Sequence, residues 1–141
     1  MQLVIEDAVR ETYDISVGIA ELKGLRQGEK ESRAISNAMA DVEAEIKSTY
    51  RIDEVKEIRT IRLQREFFWR MGVDPTKVRP ASEALLRRIL LHKGLPRVSP
   101  VVDAYNLASV KTLITFSAFD HARIAPPLSV RFSRTGEVVT L

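Results

Sequence analysis

The stretch that decides how this chain folds lies between residues 79 and 120. It opens Arg79-Pro80-Ala81-Ser82-Glu83-Ala84-Leu85-Leu86-Arg87-Arg88. It continues as Gly94-Leu95-Pro96-Arg97-Val98-Ser99-Pro100-Val101-Val102-Asp103-Ala104-Tyr105-Asn106 and closes on Ser117-Ala118-Phe119-Asp120. Ser82 or Pro80 opens a helix through Leu85, Leu86, Ile89 and Leu90, apolar positions at helical spacing, which ends near Lys93-Gly94. Its opposite face is expected to present Arg87, Arg88 and His92. Pro96 and Pro100 punctuate a loop, because the residue before a proline resists the helical region. A further helix is expected from about Asp103 to Leu113, with Asp103 capping its free N–H groups. Asn106 follows one helical turn later.

Upstream, Ile15 to Leu22 reads as a strand, with Ile15, Val17 and Ile19 on alternate positions, ending at Lys23-Gly24. Gln27-Gly28 adds a turn signal. Glu29 to Thr49 reads as a helix that buries Ile35, Met39, Val42 and Ile46. Asp53 has the look of the N-cap of a second helix that carries Val55, Ile58, Phe67, Phe68 and Met71 inward and stops at Gly72. Phe67-Phe68-Trp69 could stack on bases, although aromatics at helical spacing more often belong to a core. Asp74-Pro75 and Arg79-Pro80 mark a loop. Downstream, two short β runs, Leu128–Phe132 and Glu137–Leu141, flank the turn Ser133-Arg134-Thr135-Gly136.

The chain has 141 residues, of which 45% are hydrophobic and 29% charged, so one substantial core is affordable and a disordered composition is excluded. No cysteine is present, which removes disulfides, thiolate metal sites and a cysteine nucleophile and fits a cytoplasmic protein. No apolar run approaches the roughly 18 residues of a membrane span, and the first residues lack a signal-peptide pattern. The formal charge of +3 conceals an asymmetry. Residues 1–60 carry 9 Lys/Arg against 13 Asp/Glu, whereas residues 61–141 carry 13 against 6. From Arg59 to Arg97 there are 10 basic residues and 3 acidic ones, a balance suited to a polyanion or to a solvated helix face.

Several catalytic constellations are missing. The sequence has no Gly-rich phosphate loop, no Gly-x-Ser-x-Gly elbow and no His-Glu-x-x-His pair, so no cofactor or metal is expected. His92 and His121 are far apart in sequence. Glu43 and Glu45 read as exposed helix charges.

In order and spacing, the elements of residues 79–120 resemble the tRNA-binding and editing domain of the phenylalanyl-tRNA synthetase beta subunit, the B3/4 domain, and above all its freestanding relatives. That family shows a helix, then Asn-x-Val-Val-Asp-x-x-Asn, then His-Ala-Phe-Asp. Here Asp103 and Asp120 keep the spacing of the last two elements. The resemblance implies an α+β fold, layered, with a β-sandwich-like core covered by helices. It also implies one module over residues 1–141 whose family continues beyond the position of Leu141. The family pocket hydrolyses tyrosine misattached to tRNA, using a Thr-Asn pair, the histidine of His-Ala-Phe-Asp and a downstream glutamate. Asn106 matches the asparagine, Tyr105 stands at the threonine position and Ser117 at the histidine position. The glutamate position falls after Leu141.

On this reading Asn106, Ser117, Tyr105 and Asp103 would form an aminoacyl pocket, and Arg79, Arg87, Arg88 and Arg97 would meet RNA phosphates. The partner would be tRNA or aminoacyl-tRNA. The module could be a deacylase, a non-catalytic RNA-binding module, or a binder of a free amino acid. An amide and a hydroxyl can orient an ester and a water, but neither is a strong general base.

Overall fold

The computed structural model describes residues 2–25 and 32–138, and these fall into two compact units. The order of elements is β1 (Leu3–Ile5), α1 (Asp7–Thr12), α2 (Arg33–Thr49), α3 (Arg59–Arg70), α4 (Ala81–Leu90), α5 (Pro100–Thr112) and β2 (Leu128–Val130). Short 3-10 turns occupy Val55–Glu57 and His121–Arg123. The result is mixed but helix-rich, and its described sheet has two strands.

One unit joins residues 2–25 to residues 119–138. Its strands β1 and β2 pair in parallel, Leu3 opposite Leu128, Val4 opposite Ser129 and Ile5 opposite Val130. Parallel strands need a long crossover, and here the connection carries the whole helical unit. Beside the sheet, α1 buries Val9, and the rings of Tyr13 and Phe132 meet at 6.0 Å with a 51° tilt.

The other unit, within residues 32–118, is a helical bundle. Helix α2 points Met39, Val42 and Ile46 inward, at the spacing read from the sequence. They pack with Val55, Ile61, Leu86, Ile89, Leu95, Val110 and Leu113 in one apolar core. A fully buried Leu or Ile contributes about 1.5–3 kcal/mol of transfer free energy. Packing of this kind, rather than helix propensity, holds a ten-residue helix such as α4.

Through the bundle runs a buried polar seam. The Glu83 carboxylate lies fully inside, accepting Arg65 at 3.1 Å on both oxygens and Arg87 Nε at 2.7 Å. Next to it, Ser82 donates to Gln64 Oε1 at 2.8 Å, and Gln64 Nε2 donates to the Leu113 carbonyl at 2.6 Å. Ser109 donates to the Ile114 carbonyl at 2.6 Å. Helices α3 and α4 and the end of α5 are therefore joined by side chains whose alternatives are unsatisfied buried groups, which cost about 1–3 kcal/mol each. Among the described residues no buried side-chain nitrogen or oxygen lacks a partner.

Several expectations change. Residues 15–22 form no strand: Val17, Ile19 and Leu22 are exposed, and no described strand pairs with them. Alternation marks a face to bury but cannot supply a ladder partner. With two three-residue strands, the described residues contain no β-sandwich-like core. Asp53 caps nothing; it pairs loosely with Arg51, and α3 starts six residues later behind Ile58, after the 3-10 turn. Glu43 is half-buried rather than an exposed charge, and its carboxylate accepts the Leu95 N–H at 2.7 Å, tying α2 to the loop after α4. Helix α2 starts at Arg33 behind Ser32. The expected start at Glu29, the Gln27-Gly28 turn and the end of the last β run at residues 139–141 lie outside the described residues, and residues 137–138 are not strand.

Helices α3 and α4 finish with the same two reversed bonds. Gly72 N–H reaches the Trp69 carbonyl and Val73 N–H the Phe68 carbonyl; His92 N–H reaches Ile89 and Lys93 N–H reaches Arg88. The residue at the turn must be left-handed, and φ is 76° at Gly72 but 58° at His92. A side chain there costs about 1–2 kcal/mol that glycine avoids. His92 is exposed, so His92→Gly loses no packing. It is expected to raise stability by about 1 kcal/mol, seen as a higher denaturation midpoint in urea; an unchanged or lower midpoint contradicts the left-handed assignment.

Candidate nucleic-acid interface

Helix α5 begins earlier than the sequence suggested. Ser99 is its N-cap, accepting Val102 N–H at 3.4 Å, and Pro100 occupies the first helical position, where its missing N–H loses nothing. Asp103 is therefore not the cap. It sits one turn inside and buried, and its Oδ1 reaches back to accept Val98 N–H at 2.9 Å. The two side chains bracket the loop-to-helix junction from both sides, in the manner of a capping box. Asp103 Oδ2 lies 3.8 Å from Arg97, which also donates to Ser36 at 3.2 Å. Thus one expected pocket residue and one expected phosphate ligand meet directly, and the contact orients the arginine along α2.

Asn106 lies on the same stripe of α5 as buried Asp103 and Val110. It is half-buried, and its amide makes no hydrogen bond to another described residue. Tyr105 is also half-buried, with no described hydroxyl partner. Ser117 is exposed, in the irregular segment after α5, and has no described hydrogen bond to Asn106 or to Tyr105. The helix ends where Leu113 turns left-handed, φ 56°, with its carbonyl held by Gln64. An open depression lined by Ile5 and residues 10–17 contains none of these residues. Among the described residues, no three His, Asp or Glu side chains are grouped to hold a metal.

The four arginines differ sharply. Arg79 is exposed and has no described ion pair. Arg88 is exposed while its Nε donates to the Gly94 carbonyl at 2.7 Å, behind the end of α4. Arg97 is half in solvent. Arg87 does not share an outward face with Arg88. It sits four residues after Glu83, locked on that carboxylate, and reaches the Ile52 carbonyl at 3.4 Å. Sequence reading placed Arg87 outward because the burial of an acid at position 83 carries no periodic signal.

Other charges are also committed. Beyond α5, Arg131 forms a bidentate pair with Glu137 at 2.9 and 2.6 Å, and Arg134 N–H joins the same carboxylate at 2.7 Å. The Arg131 hydrogen bonds, with the Arg134 N–H, hold the Glu137 pKa down to about 2. Thr76, through its hydroxyl and its backbone N–H, lowers that of Asp74.

The surface thus defines a helix-rich module with exposed arginines before, on and after α4, and an amide on the inner stripe of α5 that has no partner among the described residues. The chain belongs to the B3/4 domain family: residues 63–141 match the B3/4 domain, which is found in the phenylalanyl-tRNA synthetase beta subunit. The match begins inside α3 and leaves β1, α1 and α2 outside it. No curated protein and no solved structure matches the chain. Among the described residues no helix is long and apolar enough to cross a membrane.

Because its folded pKa is depressed, Glu137 stabilises the Arg131 turn fully above the ordinary carboxylate range, and the contribution fades as pH falls towards about 2. A carboxyl-carbon NMR titration is expected to place Glu137 near 2 and to lose the shift in Arg131→Gln. A midpoint near the ordinary glutamate value in the unsubstituted chain contradicts the pairing.

Proposed function

We propose that the chain is a single tRNA-binding module that engages tRNA or aminoacyl-tRNA and holds the aminoacyl end without hydrolysing it rapidly. The observation that carries this reading is membership of the B3/4 family over residues 63–141, a span that includes most of the run with 10 basic and 3 acidic residues. Arg79, Arg88 and Arg97 are the phosphate ligands of this reading, since each keeps guanidinium N–H groups towards solvent. Arg87 acts indirectly, by holding α4 in place.

Asn106 is the group assigned to the aminoacyl ester or the terminal ribose, because a half-buried amide with no described partner has two donors and an acceptor to offer. Tyr105 flanks it as an apolar wall, Ser117 supplies a hydroxyl, and Asp103 fixes the helix that carries the amide. None of these is placed as a general base: the Asp103 oxygens are engaged by Val98 N–H and Arg97, and a serine hydroxyl without a neighbouring base is a weak nucleophile. Positioning of a water remains as the chemistry, which supports slow hydrolysis at most. We also assign the β1–β2 pair to the β layer of the family fold.

Filter binding of tRNA across a salt series tests this directly. Log affinity is expected to fall linearly with log salt, and Arg79→Ala, Arg88→Ala and Arg97→Ala together to flatten the slope by about 2–3, roughly 0.7–0.9 per lost phosphate contact. Charged tRNA is expected to bind more tightly than uncharged tRNA, a preference lost in Asn106→Ala, with little release of amino acid. Equal affinity and slope in the triple variant contradict the phosphate assignment. Rapid tyrosine-specific deacylation contradicts the pocket assignment.

A further inference from the structure

Helix α3 carries a large ring that the core leaves out. In Phe67-Phe68-Trp69 the two phenylalanines are half-buried, but Trp69 is 57% exposed, and it is the single tryptophan of the chain. Ile61 and Gln64 mark the inward side of the helix, through the apolar core and the bond to Leu113. The outward side, at 100° per residue, gathers Arg59, Arg62, Leu63, Glu66, Trp69 and Arg70. Exposing a large indole costs transfer free energy that a core position would have returned. The same face carries three arginines, Arg59, Arg62 and Arg70, against one acid, Glu66.

We infer that the outward face of α3 is a stacking platform for an unpaired nucleobase, with Trp69 as the stacking ring and Arg59 and Arg62 as ligands for the adjoining phosphates. The inference rests on the proposed RNA-binding reading and deepens it: phosphate contacts along α4 would hold RNA generally, whereas a tryptophan face takes a base only from a single strand, a loop or an end. Charge decides between occupants. An apolar protein partner gains nothing from a rim of arginines, whereas a polyanion with exposed π-faces matches both features. The Arg62–Glu66 ion pair on this face, at 3.6 Å, is exposed on both sides and i,i+4, so it is weak and opens readily to a phosphate.

The lone tryptophan makes the test direct. Emission is followed while the whole chain is titrated with a single-stranded RNA of about 12 nucleotides, and separately with the blunt duplex of the same strand. Stacking is expected to quench Trp69 with the single strand and to leave it nearly unchanged with the duplex. Trp69→Ala is expected to weaken single-strand binding about ten-fold and Trp69→Phe less than about three-fold, with thermal midpoints unchanged because the side chain packs in no core.

Single-strand binding with unaltered emission and full affinity in Trp69→Ala overturns the platform while leaving RNA binding intact. Absence of any RNA binding overturns both. Emission that shifts with protein concentration alone, together with sedimentation at twice the chain mass, assigns the face to a second copy and also overturns the inference.

Discussion

A carboxylate with no access to water needs positive partners, and in this chain that requirement organises the helical unit. Glu83 is buried at the first turn of α4, with Arg87 one turn later on the same helix and Arg65 arriving from α3. Both arginines keep an edge to solvent, so the charge is screened from within while the helices stay in register. The neighbouring Ser82–Gln64–Leu113 chain extends the constraint to the end of α5. Buried charge is a poor source of net stability but a strong penalty on misplacement. If α4 were rotated by one residue, Glu83 would leave Arg65 of α3, and Leu86 and Ile89 would leave the core.

The constraint reaches the candidate interface through helix ends. Gln64 holds the carbonyl of left-handed Leu113, which stops α5 and releases the chain towards Ser117. At the other end, Ser99 and Asp103 fix where α5 begins, and thereby where Asn106 stands. Glu43 pins the α4–α5 loop through Leu95 N–H, with Gly94 so near its carboxylate that a Cβ would stand 3.3 Å from Oε1. The groups that still turn donors or a ring face outward are Arg79, Arg88, Arg97, the Asn106 amide and the Trp69 ring, although Arg88 also holds the Gly94 carbonyl and Arg97 also meets Asp103 and Ser36. Commitment of Arg87, Arg65 and Arg131 to carboxylates explains why a count of basic residues overstates the surface available to a polyanion.

Long apolar periodicity was legible in the sequence. The inward positions of α2 and α4, the stop at Gly72 and the β run at Leu128 all followed from spacing and turn residues, and the family resemblance rested on elements at 79–120. Three kinds of feature were not legible. Pairing partners are non-local, so Ile15–Leu22 alternated without a strand to join, while the three-residue β1 was too short to register. Caps compete locally, and Asp53 and Asp103 lost to Ile58 and Ser99 because a 3-10 turn and a proline reset the start of each helix. Buried charge has no period at all. Glu83, Glu43 and Arg87 look like solvent-facing residues until their partners, up to 52 positions away, are in place. Of the candidate site, the positions of Asp103 and Asn106 on one stripe followed from their spacing, whereas the separation of Arg87 from Arg88 did not.

The claim that the buried charge at position 83 must be matched by its two arginines is tested most directly by a substitution cycle followed by urea denaturation. Glu83→Met alone strands two arginines, and Arg65→Met with Arg87→Met strands a buried carboxylate; the latter pair of changes is expected to cost about 3–5 kcal/mol. The triple variant removes every charge and refills the space with apolar atoms. It is expected to recover at least half of that loss, about 1.5–2.5 kcal/mol or more, so that the cycle shows a coupling well away from zero. A triple variant whose destabilisation equals the sum of its parts would show that the three side chains act independently, and would contradict the account.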